Sequence, residues 1–150
     1  FAYLWIWLAK RNLNPSTPTK FAVGLLFLAL GFLMMVIAST VITTGSKAMP
    51  TWLLLTYLFH TFGELALSPV GLSATTKLAP KRFDGQMMGL WFVASALGNL
   101  IAGRIAGEFD ANNIAGFPSQ YLDIVMTTAG AGIILLILSK PLQKRMRGAE

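Results

Sequence analysis

Residues 21–43 read FAVGLLFLALGFLMMVIASTVIT, and no charged side chain occurs from Phe21 to Thr43. About 20 helical residues cross the ~30 Å hydrocarbon core of a bilayer, so this stretch is one complete membrane span. Working outward, a second apolar run extends from Pro50 to about Ala74 and is interrupted only by His60 and Glu64. A third runs from Met87 to about Gly107 with Arg104 near its end, and a fourth from about Tyr121 to Ser139. Apolar and polar residues do not alternate along these runs as they do in barrel strands, so the expected fold class is all-α.

Composition agrees. The 150 residues are 55% hydrophobic and 12% charged, where a soluble domain carries about 25% charged residues. The chain has no cysteine, which excludes disulfides and cysteine-based zinc or iron–sulfur sites. It contains no Walker loop and no HExxH motif, and its single histidine cannot build a metal cluster. The expectation is a non-enzyme with no metal and no cofactor.

The first nine residues, Phe1 to Ala9, are apolar and end against Lys10 and Arg11. Nine helical residues rise only about 13 Å, less than half of the core. This stretch (1–9) reads as the last half of a span, and the chain as the C-terminal part of a longer protein. The expected organisation is one partial transmembrane domain over 1–150, with spans near 21–43, 50–74, 87–107 and 121–139.

The 12 Lys and Arg against 6 Asp and Glu give a net charge of +6. If the spans alternate in direction, Lys10, Arg11, Lys20, Lys77, Lys81, Arg82, Lys140, Lys144, Arg145 and Arg147 share one side. Only Lys47 and Arg104 fall on the other, beside the acidic Glu108, Asp110 and Asp123. Basic loops stay cytoplasmic. The protein is therefore expected in the plasma (inner) membrane with its C-terminus inside, and the charge needs no nucleic-acid partner. Thr19 is a candidate N-cap for the first full helix, and Ala111 to Ser119 reads as a surface loop.

Glu64 lies near the middle of its span. A charged group at the bilayer centre costs about 2.5–3.5 kcal/mol on insertion scales, so it faces a cavity or a partner. At about 100° per residue, Tyr57, Thr61, Glu64, Ser68, Gly71 and Thr75 share one side of the helix, with His60 at the edge. This polar stripe suits a water-lined pathway. Two roles are open for Glu64: ligand binding, or pairing with a basic residue on another helix. Two are open for His60: a packed histidine, or a proton relay. Pro69 and Gly71 make a bending point for a gate or an ordinary proline kink.

On the third span, Ala94, Gly98, Ala102 and Ala106 form one row of small residues, and Ser95, Asn99, Gly103 and Gly107 form another. Such rows permit close helix packing. Trp91, on the Ser95/Gly98 face, is an interface anchor or the wall of a cavity.

The motifs Phe62-Gly63-Glu64-Leu65, Ser68-Pro69-Val70-Gly71-Leu72-Ser73, Thr76-Lys77-Leu78-Ala79-Pro80, Met87-Met88-Gly89-Leu90-Trp91-Phe92 and Gly98-Asn99 occur in this order. Together they resemble the proton-coupled oligopeptide transporter (POT) family around its tenth and eleventh helices. Arg11-Asn12, Pro15-Ser16-Thr17-Pro18 and Lys20-Phe21 are similar to that family's loop between helices eight and nine.

The resemblance implies a major-facilitator fold, of which this chain supplies the end of helix 8 and helices 9–12. It implies proton-coupled symport of di- and tripeptides by alternating access, with protons as the coupling ion. Its partners would be the peptide, the bilayer and the N-terminal helices of the same protein. By resemblance, Glu64 engages the peptide's amine, Ser68 lies beside it, and Trp91 walls a side-chain pocket. Pro69 and Gly71 would belong to the cytoplasmic gate, while Gly98, Asn99 and Gly103 remain helix-packing positions. The alternatives are a related symporter for nitrate or an amino acid, and a self-standing four-helix protein that oligomerises through its small-residue rows.

Overall fold

The computed structural model describes residues 15–110 and 113–146 together with Trp7, Lys10 and Arg11. Apart from Trp7, the expected half-span at 1–9 lies outside the described residues. The described residues form four long α-helices and no strand: α1 (Thr17–Thr43), α2 (Pro50–Leu78), α3 (Asp84–Gly107) and α4 (Phe117–Met146). All four are long and apolar enough to cross a membrane.

Local sequence sets the helix ends. α1 starts at Thr17, with Ser16 at the N-cap position and Pro18 in the first turn. Proline suits a first turn because its fixed φ is helical and its missing N–H has no intrahelical partner there. Thr19 is therefore not the N-cap: it sits inside the first turn, where its hydroxyl hydrogen-bonds the Ser16 hydroxyl at 2.8 Å. After α1 the chain turns at Gly45, whose φ of +83° is left-handed, and its N–H donates to the Ile42 carbonyl at 3.0 Å. Glycine takes this conformation without strain. The stretch expected to be a surface loop is shorter than expected, because Ile114–Gly116 forms a 3-10 turn and α4 begins at Phe117. Pro118 again lies in a first turn, where it favours helix.

The central helix is α1, packed along its length against α2 on one side and α4 on the other. Its buried residues are small: Ala22, Gly24, Ala29, Gly31, Ala38 and Ser39, with Pro18. Lipid tails are as apolar as leucine, so helices in a bilayer associate through close packing rather than by hiding apolar surface. Small residues allow that approach. A Cβ on Gly63 of α2 would come within 2.9 Å of the Gly24 carbonyl oxygen, so the two backbones nearly touch. On the other side, a Cβ on Gly132 of α4 would lie 3.3 Å from Leu25 Cβ and 3.4 Å from the Ala22 carbonyl oxygen.

By contrast, α3 has no buried residue and packs sparsely, against α2 alone among the helices. Leu90, Phe92, Val93, Leu97, Leu100 and Ile101 along it are all more than half exposed.

Candidate functional site

The exposed side of α2 carries the polar stripe. Tyr57, Thr61, Glu64 and Ser68 are all exposed, on the side not used against α1. The Thr61 hydroxyl donates back to the Tyr57 carbonyl at 2.8 Å, as a helical threonine does when it lacks a tertiary partner. Thr75, farther along, is half-buried, and its hydroxyl is bonded to the Leu72 carbonyl at 2.9 Å.

Gly71 differs from the rest of the stripe. It is buried, and the space its side chain would fill holds the indole of Trp91 from α3 and the ring tip of Phe21 from α1. Trp91 is half-buried. Ser68, one turn from Glu64 on the exposed side of α2, precedes Gly71 by three residues, and Trp91 reaches α2 from α3 at Gly71. Phe21, the contribution of α1 there, was not read from the sequence.

Pro69 is exposed within α2, and the helix runs unbroken from Pro50 to Leu78 through Pro69 and Gly71. Proline has no N–H to give the carbonyl one turn back, so this segment is the weak point of the helix ladder. Gly98, Asn99 and Gly103 lie on exposed α3, and a Cβ on Gly98 or Gly103 would meet nothing within 4 Å. None of the other described helices fills the small-residue rows of α3.

His60 leaves the stripe and enters the α1–α2 interface. Its ring lies over Gly31, in contact with the place of the absent side chain, and 4.7 Å from the Phe32 ring centroid. The Thr56 hydroxyl, one turn before it, donates to the Gly31 carbonyl at 3.2 Å and to the Trp52 carbonyl at 3.0 Å. Of the two roles open for His60, the geometry fits the packed histidine. The signal was present in the sequence as Gly24, Gly31 and Ala38, seven residues apart on α1.

A separate cavity of about 190 Å³ opens between the end of α3 and the start of α4, with Glu108, Gln120 and Asp123 in its lining. It includes none of the predicted binding residues. Gln120 Nε2 donates to the Glu108 carbonyl at 3.3 Å across it.

Comparison with known proteins gives this surface a setting. The sequence pattern of the POT family matches residues 1–121. The chain is 40% identical over its full length to the peptide transporter YePEPT of Yersinia enterocolitica, covering 30% of that protein. It is 38% identical to a di-/tripeptide transporter of Lactococcus lactis subsp. lactis, over 97% of this chain and 28% of that one. Its fold matches a crystal structure of the peptide transporter POT in complex with sulfate, with a TM-score of 0.81 and 38% identity. That match covers 94% of this chain and 27% of the other. The chain thus spans about three-tenths of the length of the curated relatives it matches. With four membrane-length helices in the transporter arrangement and the family pattern over most of its residues, the chain belongs to the POT family.

Proposed function

We propose that this chain is part of the C-terminal half of a proton-coupled symporter that carries di- and tripeptides by alternating access. The observation that carries this reading is the exposed line Tyr57, Thr61, Glu64 and Ser68 on α2, ending where Trp91 crosses from α3 onto Gly71. A carboxylate exposed at mid-span is costly against lipid, and is sustained when it faces a wet cavity or a cation. The relatives are peptide transporters, and this supplies the ligand chemistry: a peptide's free amine is such a cation.

In this reading Glu64 accepts hydrogen bonds from the peptide ammonium, Ser68 offers a neutral polar contact one turn away, and Trp91 walls a side-chain subsite. A charge-assisted contact is roughly twice as strong as a neutral one, so the amine would dominate orientation. Pro69 is the yielding point of α2, and its motion would carry Gly71 and the seated Trp91 with it. The open small-residue rows at Gly98, Asn99 and Gly103 would receive other helices of the complete transporter. The basic segments face the cytoplasm of a plasma-membrane protein, protons are the coupling ion, and no cofactor takes part.

The test is uptake of a labelled dipeptide into proteoliposomes holding the complete transporter, with and without an inward proton gradient. Gradient-driven uptake that free di- and tripeptides compete away, and nitrate or amino acids do not, supports the reading. Uptake of nitrate or amino acids alone would replace it with another symport.

A further inference from the structure

His60 is a polar side chain placed where a membrane helix interface is otherwise made of small and apolar residues. Its Nε2 is enclosed and has no hydrogen-bond partner among the described residues. An unpaired buried polar atom is unfavourable and calls for an explanation in a native structure. The surroundings show how the ring is held. The edge bearing Cδ2 and Nε2 enters the hollow left by Gly31, with Phe32 at 4.7 Å beside it. The Thr56 hydroxyl ties α2 to the Gly31 carbonyl at the same level. At this level α2 is thus keyed to α1 by a flat ring in a glycine seat and by the Thr56 hydrogen bond, one turn before Glu64.

Four helical residues separate His60 from Glu64, so their side chains leave α2 in directions only about 40° apart. With His60 seated against α1, Glu64 is held just off that contact and stands exposed. Rotation of α2 that released His60 would turn Glu64 by the same angle, because the two share one rigid turn.

We propose that His60 is a positioning residue: seated on Gly31, it sets the rotation of α2 about its axis and thereby the direction in which Glu64 faces. The role rests on the reading of Glu64 as a binding group, but the direction of position 64 can be measured without a substrate.

The experiment uses the complete transporter in membrane vesicles, freed of native cysteines, with Glu64→Cys labelled by a charged methanethiosulfonate reagent. The labelling rate at position 64 is compared in the parent, His60→Ala, His60→Gln, Gly31→Ala and Gly31→Ala with His60→Ala. His60→Ala is expected to change the rate about fivefold, as coupled neighbours do. His60→Gln, which keeps a flat polar group, should recover most of the change. Gly31→Ala should shift the rate as well, and combining it with His60→Ala should add little to the change that His60→Ala makes alone, because both variants take the ring out of the same seat. Equal rates in the parent, His60→Ala and His60→Gln overturn the proposal, whether or not the Gly31 variants fold. In the Glu64 background, dipeptide KM is expected to rise in His60→Ala with kcat little changed; a fall in kcat at constant KM also overturns it. A parent that moves no peptide refutes the symport reading alone, since the labelling rates still decide the role of His60.

Discussion

The indole of Trp91 on α3 occupies the space that a side chain on Gly71 of α2 would fill. This contact ties two helices that touch sparsely. It also places the aromatic residue beside the polar stripe, so substitution at Gly71 tests packing and binding together. Gly71→Ala would push against Trp91 and Phe21, and overpacking costs about 1–3 kcal/mol. A lower unfolding temperature and weaker peptide binding are expected; adding Trp91→Ala should partly restore the unfolding temperature, because the clash is relieved, but not the binding, because the subsite wall is gone. Thermal unfolding in detergent and dipeptide KM measure the two effects.

Glu64→Gln removes the charge and keeps the shape. Hydrogen bonds to charged groups contribute about 1.5–3 kcal/mol, so peptide transport should fall roughly 10- to 100-fold. Insertion and expression should be unchanged, because Glu64 is exposed. N-acetylated dipeptides should be poor substrates of the wild type. Equal uptake of acetylated and free dipeptides would remove the amine from the binding scheme.

At Gly63 the neighbour is backbone and cannot move aside. Gly63→Ala would set a Cβ 2.9 Å from the Gly24 carbonyl oxygen, so α1 and α2 must separate. A loss of about 1–3 kcal/mol is expected, read as a lower unfolding temperature of the complete transporter. Thr56→Val should cost less, about 0.6–1.7 kcal/mol, the range for interhelical hydrogen bonds in membranes.

Gly98 tests what covers α3. In this chain a Cβ there meets nothing within 4 Å. If other helices of the complete transporter pack on the small-residue row, Gly98→Leu should lower its unfolding temperature and its transport. A neutral Gly98→Leu would mean that this face is turned to lipid.

The spans and the polar stripe were legible in the sequence because both depend on one helix at a time. Hydropathy over a window marks Phe21 to Thr43, and the 3.6-residue period gathers Tyr57, Thr61, Glu64 and Ser68 without reference to any neighbour. The helix partners were harder to read. The small-residue rows of α3 point to Gly98 and Gly103, yet the close α1–α2 contact is made by Gly24 and Gly31 of α1 with Gly63 and His60 of α2. Both sets look alike as sequence, since small residues permit close approach without naming a partner. His60 was assigned to the edge of the stripe, and only the Gly31 hollow decided on which side of that edge it falls.

By itself, the sequence determined an all-α membrane chain and the motifs that carry the family resemblance. These follow from transfer of side chains and backbone into a bilayer, which acts on each segment separately. The tertiary structure alone decided that α1 is the central helix, that Gly71 is a seat for Trp91 and Phe21, and that His60 turns to α1 while Glu64 stays exposed. The reason is physical. Between helices in lipid there is no hydrophobic contrast to read, so partner and rotation are set by steric fit, and fit exists only once two surfaces meet.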